Sequence, residues 1–129
     1  MKVVYIAGPF RGPSAWDIEE NIRRAERLAL EVWRMGAAGL CPHTNTRFFQ
    51  NAAPDHVWLD GDLELLARCD AMVMTPDWER SSGARAEHDF AKARGIEVFY
   101  DADSLRTWLE SAPAVAAVDP VLPARGTDQ

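Results

Sequence analysis

The sequence predicts an α/β protein, a flavodoxin-like or Rossmann-like three-layer sandwich with a parallel sheet of four to five strands. Short apolar runs, of which residues 3–7 and 71–75 are the clearest, alternate with segments whose apolar residues recur at helical spacing. Strands that alternate with helices form parallel sheets with helices on both faces. We expect one domain over residues 1–111, and a C-terminal tail over residues 112–129 that is flexible or draped on a partner.

The first half of the chain contains two predicted strands and one long helix. A buried strand over residues 3–7 ends at a loop rich in glycine and proline. Asp17 and Glu20 resemble a capping box ahead of an amphipathic helix that ends near Gly36. A weaker strand over residues 39–42 follows, and the chain then enters a loop.

The second half repeats the alternation. It is expected to contain a helix from Asp55 or His56 to Arg68, a strand over 71–75, a helix that ends at Gly95 with Ala86, Phe90 and Ala93 buried, a strand over 96–100 and a last helix over 103–110. Each of these segments has the length of a strand or helix in a small α/β domain.

Composition restricts the classes of partner. A net charge of −6 argues against a nucleic acid polymer but not against a single nucleotide. Cys41 and Cys69 form no Cys-x-x-Cys motif, so we expect neither a metal site nor a disulfide framework, and free thiols fit the cytoplasm. The apolar start is too short for a signal peptide or a membrane span, so no membrane partner is expected.

The segment from Ser81 to Glu87 predicts a turn from a strand into a helix. Ser81 can cap the helix, and the free amides with the helix dipole favour an anion. Gly83 and Glu87 share one helical face, so a ligand can approach Glu87 over the glycine. An acid beside an anion site suggests chemistry on a phosphorylated or hydroxylated small molecule. A capped surface helix with a solvated glutamate explains the residues equally well.

A second acid, Asp62, lies between Leu59 and Leu66 on the apolar stripe of its helix. A carboxyl in apolar surroundings has a raised pKa, which suits a proton donor. The alternative is a partly buried aspartate whose hydrogen bonds are satisfied by a neighbouring helix cap.

Two loops contain candidate binding residues. Arg11, in the glycine-bearing loop after the first strand, can bind a phosphate or remain a solvated arginine. His43 and Asn45 belong to a polar and aromatic loop that suits a nucleobase or sugar. Local turn bonds for Asn45 and a structural role for His43 are the alternatives.

The predicted topology brings these candidates together. Ligands of parallel sheets bind at the carboxyl ends of the strands, beside a switch in strand order. If the first and third strands are neighbours, the loops over 8–12 and 77–83 face each other. Two carboxyls flanking one bond is the arrangement of glycosidic cleavage, although the sequence does not supply their separation.

Residues Tyr5 to Gly12, Asp62 and the pattern Ser81-x-Gly83-x-x-x-Glu87 together resemble the nucleoside 2-deoxyribosyltransferase family and its branch of 2'-deoxynucleoside 5'-phosphate N-hydrolases. The resemblance covers Lys2 to about Tyr100.

The resemblance implies a role for each matching residue. Glu87 is the nucleophile that forms the glycosyl-enzyme, Asp62 is the acid that serves the departing base, and Tyr5 lies close to the nucleophile. The loop along the sugar and its 5'-phosphate consists of Gly8, Pro9, Phe10, Arg11 and Gly12.

Ser81 discriminates between the two branches. Transferases of unphosphorylated nucleosides resemble this segment but have an aspartate there, whereas the nucleotide hydrolases have a serine that does not repel a phosphate. The resemblance therefore implies hydrolysis of a nucleoside 5'-monophosphate, no cofactor, and a homodimer or higher homo-oligomer. Base exchange by a transferase, cleavage of a larger nucleotide such as a dinucleotide, and a non-catalytic nucleotide-sensing module are the alternatives.

Overall fold

The computed structural model describes residues 1–111, and the expected tail over 112–129 lies outside the described residues. The strands are β1 (Val3–Ala7), β2 (Ala38–Leu40), β3 (Ala71–Met74) and β4 (Glu97–Phe99), and the helices are α1 (Ala15–Arg34), α2 (Pro42–Asn45), α3 (Asp55–Ala67), α4 (Ser82–Ala93) and α5 (Ala102–Ser111). A 3-10 turn spans Trp78–Arg80. Among residues 1–111, no helix is both long enough and apolar enough to cross a membrane.

The four strands form one parallel sheet in the order β2-β1-β3-β4, which confirms the predicted α/β class. β1 pairs with β3 in the register that sets Tyr5 opposite Met72 and Ala7 opposite Met74. The first and third strands are therefore neighbours, and the loops that follow them leave the same edge of the sheet.

Alternation along β1 divides the core between the two faces of the sheet. Val4 and Ile6 pack in a cluster with residues of α1 and α5. Tyr5 and Ala7 point to the opposite face and pack in a second cluster with residues of α3 and α4. This arrangement is the expected three-layer sandwich, and it places Tyr5 under α3 and α4.

Two local expectations in the first half are wrong. α1 begins at Ala15, and Ser14 is its N-cap, because the Ser14 hydroxyl oxygen accepts a hydrogen bond from the Asp17 amide at 3.2 Å. Asp17 therefore occupies the first turn and does not cap. The loop expected after the second strand begins as the short helix α2, which has Pro42 at its first position, where a missing N–H costs nothing.

The apolar stripe expected on α4 is wrong at two of its three residues, while the third, Phe90, is partly buried against the core. Ala86 and Ala93 are exposed, whereas Ala84 and Ala91 are buried against the sheet. The helix is thus rotated so that Glu87, one turn from each buried alanine, also faces inward.

Gly8 is required where β1 and β3 end side by side. A Cβ atom at Gly8 would lie 2.2 Å from the hydroxyl oxygen of buried Thr75 and 2.9 Å from its methyl carbon. We expect Gly8→Ala to lower the free energy of unfolding by about 1–3 kcal/mol, measured by urea denaturation, because the two loops must separate.

Gly61, in the middle of α3, is the matched control. A Cβ atom there meets nothing within 4 Å, so Gly61→Ala should raise stability by about 0.5–1 kcal/mol through helix propensity. Thr75→Ala in the Gly8→Ala background should recover part of the loss. Equal stability of Gly8→Ala and the wild type would contradict this account of the contact.

Candidate active site

A cleft of about 1010 Å³ opens at the carboxyl ends of β1 and β3. All the predicted site residues except Tyr5 and Asn45 line it, namely Gly8, Pro9, Phe10, Arg11, Gly12, His43, Asp62, Ser81, Gly83 and Glu87. The structure therefore brings the two predicted acids and the two predicted loops to one surface.

Tyr5 lies behind the cleft wall, fully buried on β1, and its hydroxyl donates a hydrogen bond of 2.5 Å to the Glu87 carboxylate. Burial and the negative charge of Glu87 raise the pKa of Tyr5, so the phenol stays protonated and serves as a permanent donor. This contact links the central strand to the acid of α4 and fixes one carboxylate oxygen.

The two acids have raised pKa values. Partial burial is the main cause of the rise of the Glu87 pKa to about 7; the Tyr5 hydrogen bond lowers it, and the charge of Asp62 raises it further. Burial also raises the pKa of Asp62 to about 6. Burial is therefore the main cause of both raised pKa values, and the charge of Asp62 adds a smaller effect at Glu87.

Asp62 reaches the cleft from α3. Of the apolar neighbours expected around it, Leu66 is buried, but Leu59 is 52% exposed and lines the cleft. The first turns of α3 therefore overhang the cleft and do not pack on the sheet. Asp62 is at the boundary between the packed and the overhanging parts of the helix.

Ser81 is the N-cap of α4, as its position before the helix predicts. Its hydroxyl oxygen accepts from the Ala84 amide at 3.1 Å, which leaves the hydroxyl proton free to donate toward the cleft. A Cβ atom at Gly83 would meet only the Ser81 hydroxyl oxygen, at 3.8 Å. The first turn of α4 thus leaves open space in front of Glu87.

Arg11 forms an ion pair with Asp55 at the mouth of the cleft, and its side chain is 76% exposed. Its loop is held from α1, because the Asn21 side-chain amide donates to the carbonyls of Phe10 and Arg11 at 3.1 and 3.2 Å. The guanidinium therefore already has a carboxylate partner.

His43 also contacts the loop that contains Arg11, at Pro9 and Phe10. Its ring is 7% exposed, with Nε2 2.9 Å from the Pro9 carbonyl and the ring edge-on to Phe10. Since a carbonyl only accepts, Nε2 is the donor, and burial lowers the His43 pKa, which keeps the imidazole neutral.

Asn45 is exposed and lines a second cavity of about 310 Å³, next to Asp62 and Trp58.

Several polar or aromatic residues that line the main cleft were not among the predicted site residues, and Asn21, Arg24, Trp58 and Arg80 are four of them. Trp58 precedes Asp62 by four residues and shares its helical face, so helical spacing contained a signal for it. Arg24 lies on the polar side of an amphipathic helix, where a solvated residue is the ordinary expectation.

The family model described as a domain of unknown function (DUF7768) matches residues 2–101. The chain belongs to this family. Among solved structures, a 2-deoxyribosyltransferase from the psychrotolerant bacterium Bacillus psychrosaccharolyticus is similar in fold, with a TM-score of 0.58, 16% identity, and coverage of 81% of this chain and 90% of that chain. No curated protein matches the chain in sequence.

Because the pKa of Glu87 is raised, the free energy of unfolding should fall as the pH rises. The carboxyl has a pKa of about 7 in the folded chain against 4.5 as a free group, so the folded state binds more protons and loses stability as pH rises through this range. We expect Glu87→Gln to be more stable than the wild type at pH 8, by up to about 3 kcal/mol.

The advantage of Glu87→Gln should shrink as the pH falls toward 4.5, because the wild-type carboxyl is then protonated as well. Urea denaturation at several pH values measures it, with Glu31→Gln on the exposed face of α1 as the control for removal of a carboxylate. An advantage that is equally large at low and high pH would show that burial of the charge is not its origin.

Proposed function

We propose that this chain hydrolyses the N-glycosidic bond of a nucleoside 5'-monophosphate, with the 2'-deoxy sugar favoured, and releases the free base and the sugar phosphate. One observation carries the proposal: Glu87 and Asp62, two carboxyls with pKa values near neutral, line one cleft, and Tyr5 orients the first of them. Pairs of carboxyls across a scissile glycosidic bond are the machinery of this reaction.

In the first step, a carboxylate oxygen of Glu87 attacks C1' of the sugar. The bond between C1' and the base nitrogen breaks, its electron pair leaves with the base, and Asp62 donates the proton that the base needs. The product is a glycosyl ester on Glu87 and an ionised Asp62.

In the second step, water attacks C1' of the ester. Asp62 takes the proton from that water, the bond between C1' and the Glu87 oxygen breaks, and the carboxylate is restored. Both carboxyls return to their starting charge, so the cycle needs no further reactant.

Tyr5 supports both steps by position and charge. Its hydrogen bond lowers the pKa of Glu87 against the effect of burial and so favours the nucleophilic carboxylate. The bond also fixes which oxygen faces the cleft. Because the phenol remains protonated, this support persists through the cycle.

The 5'-phosphate belongs at the first turn of α4. Ser81 has a free hydroxyl proton there, the first amides of the helix lack helical partners, and no carboxylate of this turn opposes a dianion. A serine rather than an acid at this position is the feature that favours nucleotides over nucleosides.

A second candidate is base exchange, in which a free base replaces the water in the second step. The observation that favours it is the likeness in fold to a 2-deoxyribosyltransferase. Incubation of one deoxynucleotide or deoxynucleoside with a different free base, followed by chromatography of the exchanged product, separates transfer from hydrolysis.

A panel of nucleosides and nucleoside 5'-monophosphates, with free bases separated by chromatography, tests the main proposal. We expect base release from monophosphates by the wild type, and a loss of about 10³-fold or more in Glu87→Gln, which removes the nucleophile. Glu20→Gln, which removes a carboxylate from the cleft mouth, is the matched control and should retain most activity.

Two results would contradict this proposal. Base release by Glu87→Gln at the wild-type rate would remove Glu87 from the chemistry. Tight binding of a monophosphate by the wild type without any base release would instead identify a nucleotide-sensing module.

The pH dependence of kcat/KM provides a separate test. Glu87 must be ionised to attack, and Asp62 must be protonated to donate. The plot of kcat/KM against pH should therefore be a narrow bell whose limbs lie near about 6 and about 7. Asp62→Asn should lose the alkaline limb, because its side chain has no proton to lose. A flat profile between pH 5 and pH 8 would refute the paired roles of the two carboxyls.

A further inference from the structure

Two arginines that line the cleft share one carboxylate. Arg24 of α1 lies 3.7 Å from the Asp77 oxygen Oδ2, and Arg80 of the 3-10 turn donates to the same oxygen at 3.1 Å. Both arginines line the cleft, whereas Asp77 is outside the lining. The two guanidinium groups therefore share one counter-ion, which lies outside the cleft lining.

This pair has unused hydrogen-bonding capacity. Each guanidinium carries five N–H donors. Arg24 donates to the Asn21 side chain at 3.1 Å in addition to its ion pair, and this contact orients it from the same helix. Among residues 1–111, Asp77 is the carboxylate with which both arginines form ion pairs, and it balances one of the two cations, so these three side chains together carry one excess positive charge.

The arginines adjoin the first turn of α4. Arg80 directly precedes Ser81 in the chain, and both line the cleft with Gly83. The excess positive charge, the free Ser81 proton and the first amides of the helix therefore converge on one end of the cleft.

Arg11 is a weaker candidate for binding an anion. It is paired one-to-one with Asp55, so no excess charge remains on that pair. Exposure distinguishes only Arg24, whose side chain is 37% exposed and less screened by water and salt, because Arg80 is 71% exposed and Arg11 76%. The phosphate role expected for Arg11 is better served by the pair at the other loop.

We infer that Arg24 and Arg80 form, with Ser81, the binding site for the 5'-phosphate, and that Asp77 holds the two guanidiniums in place when no anion is bound. The identification of the anion as part of a nucleotide depends on the proposed function; the anion site itself does not. Planar guanidiniums match phosphate oxygens in geometry as well as in charge.

Asp77 has an effect opposite to that of the arginines. Its charge orients them but repels an incoming dianion. Its removal should therefore strengthen phosphate binding, because the Asn21 side chain still holds Arg24. A purely structural role of Asp77 predicts the reverse, because loss of its ion pairs would disorder the arginines.

Isothermal titration calorimetry in the Glu87→Gln background tests the inference without turnover. The probes are the four 2'-deoxynucleoside 5'-monophosphates, the four matching deoxynucleosides and inorganic phosphate. We expect Arg24→Gln and Arg80→Gln each to weaken monophosphate binding by about tenfold and nucleoside binding by less than about twofold. Asp77→Asn should tighten monophosphate binding, and inorganic phosphate should compete with the monophosphates.

Arg23→Gln is the matched control. Arg23 lies next to Arg24 on α1 and pairs with Glu19 and Glu26, outside the cleft lining. Its removal changes the net charge and the helix equally and should leave both affinities unchanged. If Arg23→Gln weakened monophosphate binding as much as Arg24→Gln, the effect would be general charge and the inference would be wrong.

The inference and the proposed function can fail separately. If Arg24→Gln and Arg80→Gln release base from monophosphates with the same preference over nucleosides as the wild type, the anion site is overturned. The proposed hydrolase activity would then still hold. A phosphate-dependent loss of binding in these two variants, in a chain that releases no base, would support the anion site and reject the hydrolase.

Discussion

The hydrogen bond between Tyr5 and Glu87 requires α4 to turn an acid toward the sheet, and burial of that carboxylate lowers the free energy of unfolding. Ala84 and Ala91 make this possible, because two small buried residues on either side of Glu87 allow the helix to approach β1 closely. The cost is visible in the raised pKa of Glu87. The fold therefore accepts lower stability in order to keep a carboxylate that is buried and held by one phenol, which is the setting that the proposed nucleophile requires.

The position of that contact follows from the sheet. Side chains alternate along β1, so Val4 and Ile6 face one layer of helices while Tyr5 faces the other. Pairing of β1 with β3 brings the loop after each strand to the same edge, and Gly8 allows their backbones to approach. The cleft is therefore a direct consequence of strand order, and its two walls are the loops that this order makes adjacent.

Charge is divided within the cleft although the whole chain is acidic, with a net charge of −6. The carboxyls of Asp62 and Glu87 and the guanidiniums of Arg24 and Arg80 all line the cleft, and Arg80 directly precedes the first turn of α4. One pocket therefore contains both arginines and acids with raised pKa values. The net charge of the whole chain therefore does not describe a pocket of this size.

The sequence by itself determined the alternation of strands and helices, the cap at Ser81 and the two acids as candidates, because periodicity and capping depend on residues close in the chain. Only the tertiary structure decided which face of α4 is buried, that Arg11 is paired with Asp55, and that Arg24 meets Arg80 at Asp77. The physical reason is that the rotation of a helix and the choice of a counter-ion depend on residues distant in the chain, which no local pattern specifies.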